Sequence, residues 1–316
     1  MIEVKIPLRI SLLGGGTDLA HYYRLGYGIV VNFTIDKFVR VRLIEKNEKE
    51  DTSNWQSISH DFFEKIKQFY DIKSNELDIF IKSDLGFGNG LGSSSAMCIG
   101  VFSALNIFKN GFNQSPYKLA EMSYDFEHNI LNTNCGKQDQ YAAAYTGMNC
   151  FIFKSDESVE RIEIKLKSNE IDFINENILL IPSGLTHKSK AILSEQEKNI
   201  SQKLVYYDNL RDLSLKFKDK ILKDGFNYDI CNFIDEGWEI KKSFDKNIMN
   251  DLLERALESL KAKNWKGIKL LGAGGGGYFM TVLNNTQKEE YSRTSKKIDL
   301  PFRFYRNEQQ ANSTNN

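Results

Sequence analysis

The chain has 316 residues, with 42 lysines and arginines against 42 aspartates and glutamates, and only four cysteines. Zero formal charge gives no field to draw nucleic acid or an anionic membrane, so small polar partners are expected. No apolar run approaches the roughly 18 residues of a membrane span, and Met1 to Pro7 lack the layout of a signal peptide. Cys98, Cys135, Cys150 and Cys231 stand apart without a Cys-x-x-Cys pair, which offers neither a zinc motif nor a disulfide framework. A cytoplasmic protein with two packed domains is the expectation.

Strand-like alternation marks Glu3 to Leu13, Ile29 to Ile35, Phe38 to Glu45 and Leu77 to Lys82, while Ile58 to Tyr70, Ser94 to Phe108 and Tyr117 to Leu131 have helical apolar spacing. Further strands are expected at Met148 to Lys154, Arg161 to Leu166, Asn177 to Pro182 and Tyr278 to Leu283. After Ser183-Gly184 the composition shifts, and Ser189 to Lys223 and Asp251 to Lys263 read as charged amphipathic helices. This places a domain over 1–185 and a second over 186–306. The polar tail 307–316 has nothing to bury and is expected to be disordered.

Between the fourth strand and its following helix lies Asp84-Leu-Gly-Phe-Gly-Asn-Gly-Leu-Gly-Ser-Ser-Ser-Ala96, with glycines at 86, 88, 90 and 92. Glycine lets the backbone approach an anion without a Cβ in the way. The helix beginning at the serines would present free N–H groups and the positive end of its dipole. Ser93 stands where a Walker A loop needs its lysine, so no P-loop is indicated. The run Gly272-Ala-Gly-Gly-Gly-Gly277 matches a dinucleotide fingerprint literally, but a strand-like segment follows it instead of a helix.

Pro7-Leu-Arg-Ile-Ser-Leu-Leu-Gly-Gly-Gly-Thr-Asp18, Gly88-Asn-Gly-Leu-Gly-Ser-Ser-Ser-Ala96 and Lys269-Leu-Leu-Gly-Ala-Gly-Gly-Gly-Gly-Tyr278 together resemble, in order and spacing, the three motifs of the GHMP small-molecule kinases. The resemblance implies an α+β, two-domain fold, with a left-handed βαβ crossover in the N-terminal domain and a ferredoxin-like C-terminal domain. It also implies ATP and Mg2+ as cofactors. Gly88, Gly90, Gly92, Ser93, Ser94 and Ser95 would contact the ATP phosphates, Ser94 and Glu127 would hold the metal, and Asp139 would be the catalytic base with Arg9 steadying the transferred phosphoryl. From the residues alone, the serines read equally as helix caps, Glu127 as a surface charge and Asp139 as a helix N-terminal charge. A buried Arg9 demands an acidic neighbour in either case.

For the substrate, Gly15, Gly16, Thr17, Asp18, Gly274 and Gly275 are the implied contacts. Galactokinase-like members carry an acidic residue where this chain has glycine, and Trp238-Glu-Ile-Lys-Lys242 adds to a likeness with the branch that acts on heptose 7-phosphates. Phosphorylation of an anomeric hydroxyl, on a route to nucleotide-activated heptose for surface polysaccharide, is what that likeness implies. A fucose or galactose kinase, or a non-catalytic sugar sensor on the same fold, are the alternatives. His187 and Lys188 are further candidates for reaching the sugar phosphate, and the partners expected are sugar phosphate and ATP, with neither nucleic acid nor membrane.

Overall fold

A computed structural model describes residues 1–46, 48, 50–72, 77–185, 189–294 and 298–307, without the side chains of 189–191, 197 and 198. His187, Lys188 and the tail from 308 onward lie outside the described residues. The strands are β1 (Ile2–Leu13), β2 (Tyr27–Glu45), β3 (Gln56–Ser57), β4 (Leu77–Ser83), β5 (Met148–Lys154), β6 (Val159–Ile164), β7 (Ile178–Pro182), β8 (Lys266–Leu270) and β9 (Tyr278–Val282). The helices are α1 (Ala20–Tyr23), α2 (His60–Tyr70), α3 (Ser93–Asn110), α4 (Pro116–Asp125), α5 (Gln138–Ala144), α6 (Ser168–Asn177), α7 (Ser189–Asp224), α8 (Cys231–Lys242), α9 (Asp251–Lys261) and α10 (Asn285–Arg293).

The two strands expected at Ile29 to Ile35 and Phe38 to Glu45 are one continuous strand, β2. The polar pair Asp36-Lys37 between the two expected stretches sits at a register shift, where Leu8 pairs Ile35 and Pro7 pairs Phe38. The backbone of Asp36 is satisfied there by the returning C-terminal segment, donating to the carbonyl of Arg303 at 2.9 Å. β1 follows one edge of β2, while β4 and β5 take the two ends of its other edge. β3 and β6 extend that sheet beyond β4 and β5.

A smaller antiparallel sheet has the order β7-β9-β8, so the second sheet begins at Ile178, ahead of the division expected near residue 185. Helix α6 before it was not legible from periodicity, and neither was β8. Helix α8 packs on β8 and on β1, and α7 reaches β2, so the second half of the chain closes over the first.

From Pro7 onward β1 is buried along its whole length, unlike its alternating first half. Leu8, Ile10 and Leu12 are fully buried in the core, while the period of two turns Arg9, Ser11 and Leu13 toward a cleft. Polar side chains inside a buried strand must be paired, and this alternation supplies the first wall of the candidate site.

The two halves meet through backbone at Gly90 and Gly272. A Cβ on Gly90 would lie 2.4 Å from the carbonyl oxygen of Leu271, and one on Gly272 would lie 2.6 Å from the Cα of Gly90. Both residues have φ near +80°. Gly86 shares the positive φ but has nothing within 4 Å of a Cβ. Gly86→Ala is therefore expected to cost about 1–2 kcal/mol from backbone strain alone, and Gly272→Ala at least about 1–3 kcal/mol more from the clash. Equal urea midpoints for the two variants would contradict the contact.

Candidate active site

The cleft, about 200 Å³ in volume, is walled by β1, the loop entering α3, the segment leading into α5, and α8 with β8. It brings together Arg9, Gly15, Gly16, Asp18, Gly88, Gly90, Gly92, Ser93, Ser94, Ser95, Glu127 and Asp139 from distant parts of the sequence. Thr17, Gly274 and Gly275 do not line it.

Arg9 is 3% exposed, and the acidic neighbour its burial demands is Asp139. Its Nε donates to Asp139 Oδ1 at 2.8 Å and its Nη2 lies 2.6 Å from the same oxygen. The amide of Gln138 donates to that oxygen as well, at 3.0 Å. Among the described residues Asp139 Oδ2 accepts no hydrogen bond, so one carboxylate oxygen is clamped and the other is available to the cleft. The remaining arm of the guanidinium, Nη1, donates to the carbonyl of Gly90 at 2.6 Å. One side chain thereby ties the carboxylate to the glycine loop.

Gly86, Gly88, Gly90 and Gly92 all adopt positive φ, as a loop shaped around an anion requires. The capping reading of the serines is corrected. Gly92 is the N-cap of α3 and no side chain caps the helix, so Ser93, Ser94 and Ser95 occupy its first turn. Their backbone N–H groups stay free of intrahelical partners. Ser94 is exposed to the cleft, whereas Ser93 and Ser95 are buried.

Glu127 sits in a π-helical turn, Phe126–Ile130, that continues α4; such bulges re-aim side chains. Phe126 anchors the turn edge-on against Phe62 and Phe102. The carboxylate is buried and accepts from Ser95 Oγ and from the Gln140 amide, both at 3.1 Å. The hydroxyl facing it is thus that of Ser95, not Ser94. Burial among neutral partners pushes its pKa up to about 7. A carboxylate and a hydroxyl are hard oxygen donors of the kind a divalent cation takes, and Glu127 and the exposed Ser94 both line this cleft.

The substrate wall departs from expectation at three positions. Thr17 is fully buried, and its hydroxyl is used internally by Gly14 and Ile29. Gly275 donates to the carbonyl of Ile248 and a Cβ on Gly274 would strike the Ile248 backbone, so this stretch packs on the loop before α9. Gly272 and Ala273 line the cleft in their place. Asp18 does face the cleft, but its oxygens accept from the amides of Gly16 at 2.8 Å and Gln138 at 3.0 Å. It caps α5 from a distance and fixes Gln138 and Asp139. Burial raises its pKa despite those bonds.

Three residues in the cleft had no assigned role in the sequence reading. Gln138 bridges Ser11 and Asp139. Lys241 on α8 and Lys269 on β8 place their ammonium groups on backbone carbonyls of the first half: Lys241 on Gly15 at 2.5 Å, and Lys269 on Ser11 and Leu12 at 2.9 Å each. Burial lowers the pKa of Lys241 to about 8 and that of Lys269 to about 7. Both lysines lie within the motifs Trp238 to Lys242 and Lys269 to Tyr278, but a lysine near the end of an amphipathic helix or strand ordinarily reads as a solvated charge.

With this geometry in place, comparison with known proteins is informative. Residues 58–147 match the GHMP kinases N terminal domain. The chain is 24% identical to the D-glycero-alpha-D-manno-heptose 7-phosphate kinase of Campylobacter jejuni, covering 94% of this chain and 93% of that protein. It is 26% identical to a galactokinase of Thermosipho africanus over 67% of this chain and 62% of the relative. The fold is similar to a crystal structure described as a D-glycero-D-manno-heptose 1-phosphate kinase from Bacteroides thetaiotaomicron, at TM-score 0.73 and 22% identity, covering 96% of each chain. It also resembles the mevalonate kinase of Methanococcus jannaschii, at TM-score 0.63 and 19% identity over 96% of this chain and 98% of that one. The mixed α and β architecture is that of these kinases, and the stretch that matches the GHMP kinases N terminal domain contains the glycine loop, Glu127 and Asp139.

The raised pKa of Glu127 has a definite sign. The folded state binds the proton more tightly than the unfolded chain, so the penalty is absent below the ordinary value of 4.5 and complete above about 7. In metal-free protein Glu127→Gln is expected to be neutral near pH 4 and stabilising above pH 7, by no more than about 3 kcal/mol. The new amide can meet the unpartnered Oε1 of Gln140. Denaturant melts across this pH range read the difference, and a variant less stable than the parent at pH 8 would refute it.

Proposed function

We propose that this phosphotransferase moves the γ-phosphoryl of ATP directly to the anomeric hydroxyl of D-glycero-D-manno-heptose 7-phosphate, giving the 1,7-bisphosphate for nucleotide-activated heptose. The observation that carries the reading is the half-free carboxylate of Asp139. Three donors hold Oδ1, and Oδ2 is left to accept the proton of an attacking hydroxyl in the cleft that also contains the glycine loop.

Each part of the reaction has a residue to serve it. The loop through Gly88, Gly90 and Gly92 and the first-turn amides of α3 receive the triphosphate. Ser94 and Glu127 would hold magnesium, which when bound neutralises charge on the phosphate oxygens. Ser95 orients Glu127 through its hydroxyl. Arg9 holds Asp139 in one rotamer and presents positive charge where the phosphoryl passes. Gly15 and Gly16 leave the sugar wall without the carboxylate that galactokinase-like members carry, which favours an acceptor that already bears negative charge. The likeness to a heptose 7-phosphate kinase over nearly the full chain, against two thirds for a galactokinase, supports the same choice.

A coupled ADP assay over D-glycero-D-manno-heptose 7-phosphate, free heptose, galactose and fucose tests the substrate. The phosphorylated heptose is expected to give the highest kcat/KM, by at least about tenfold; preference for a free sugar would refute it. Asp139→Asn is expected to lower kcat by roughly 10²–10⁴-fold with little change in ATP binding. Ser94→Ala should instead weaken productive binding of the magnesium nucleotide. Parental turnover in Asp139→Asn would remove the base assignment.

A further inference from the structure

We infer that Lys241 and Lys269 form an anion seat that grips the phosphate already present on the sugar and so selects phosphorylated over free sugars. The inference rests on the kinase reading above and deepens it by naming the residues that choose the acceptor.

Five observations converge on it. Both ammonium groups line the same cleft as Asp139. Among the described residues neither forms an ion pair with a carboxylate, each being anchored on backbone carbonyls alone. An ammonium has three N–H donors, so Lys241 keeps two and Lys269 keeps one for a ligand. Arg9, the third cation of this wall, is held in an ion pair with Asp139. Asp18 and Asp139 are the carboxylates that face Lys241, but among the described residues neither pairs with it directly, which leaves the ammonium open to an anion supplied by a ligand.

The neighbouring backbone keeps the seat open. A Cβ on Gly16 would stand 3.2 Å from Lys241 Nζ, and one on Gly15 3.9 Å from it. Any side chain at Gly16 would cover the ammonium, so the glycines that replace the acidic sugar contact also expose the lysine. One turn before Lys241 on α8, Trp238 lines the same wall and leaves its buried indole N–H without an acceptor.

The charge state of the seat follows the same logic. Lys241 faces Asp18, Arg9 and Asp139, and Lys269 faces Lys241 and Arg9. Burial leaves both amines easier to deprotonate than a free lysine, and a bound dianion would reverse this by favouring their charged forms.

The test compares kcat/KM for D-glycero-D-manno-heptose 7-phosphate with that for D-glycero-D-manno-heptose in the full-length protein carrying Lys241→Met, Lys269→Met, Lys241→Arg or no change. The ratio is expected to fall by roughly 10²-fold in each Met variant, the loss of a charged partner for a phosphate. Lys241→Arg should retain most of the preference. A ratio equal to the parent's in both Met variants overturns the inference, because a lysine that merely joins the two halves would lower both activities together. Calorimetric titration with heptose 7-phosphate in the absence of ATP covers variants too impaired to assay. Binding by the parent with at least about tenfold weaker binding by the Met variants supports the seat, and equal binding overturns it. Absence of ADP formation by the parent with any sugar is a failure of the kinase reading, and the titration reports on the seat independently.

Discussion

The ion pair between Arg9 and Asp139 is the constraint on which the site depends. It joins the middle of β1 to the start of α5 across 130 positions of sequence, in surroundings where Arg9 is almost wholly removed from water. A charged guanidinium is tolerated there because each of its three nitrogens has an acceptor, Nε and Nη2 on Asp139 and Nη1 on the carbonyl of Gly90. The same bonds that satisfy the arginine orient the carboxylate and fix the glycine loop beside it. Stability and chemistry are thus served by one set of contacts.

The rest of the site is supported from the same region. Asp18 caps the α5 backbone and a Cβ at Gly136 would collide with its Oδ2 at 1.9 Å, so the turn before Asp139 can close only over glycine. The second half of the chain approaches through bare backbone, Gly272 on Gly90 and Gly277 on the carbonyl of Asn89. Side chains at those loop positions would hold the halves apart and widen the cleft. Lys241 and Lys269 complete the closure by reaching carbonyls of the first half, which binds the two sheets together and delivers positive charge into the cavity between them.

Much of this was legible in the sequence because the residues concerned are rare in ordinary surroundings. Alternating glycines before serines, and a near-pure glycine run before a strand, signal close approach of backbone, and both segments do approach closely. The ordered motifs pointed to Arg9, Glu127 and Asp139, and the structure brings them into one cleft. Other features depend on tertiary pairing that local pattern does not carry. Asp36-Lys37 reads as a break, yet β2 runs through it because a distant segment satisfies its backbone. Thr17, Gly274 and Gly275 sit inside motifs that line the site but are turned toward the protein, since a motif fixes a stretch of chain and not the face each residue presents. Ser94 and Ser95 were distinguishable only once the helix start was known, and Lys241 and Lys269 only once their burial was.

The central claim is that Asp139, clamped through one oxygen, offers the other to the acceptor hydroxyl. A crystal structure of the protein with D-glycero-D-manno-heptose 7-phosphate and a non-hydrolysable ATP analogue measures this directly. The account predicts the anomeric oxygen within hydrogen-bonding reach, about 2.6–3.2 Å, of Asp139 Oδ2, with the γ-phosphate analogue over the glycine loop on its far side. An acceptor hydroxyl bound elsewhere in the cleft, with Asp139 still closed on Arg9 and untouched by substrate, would contradict it.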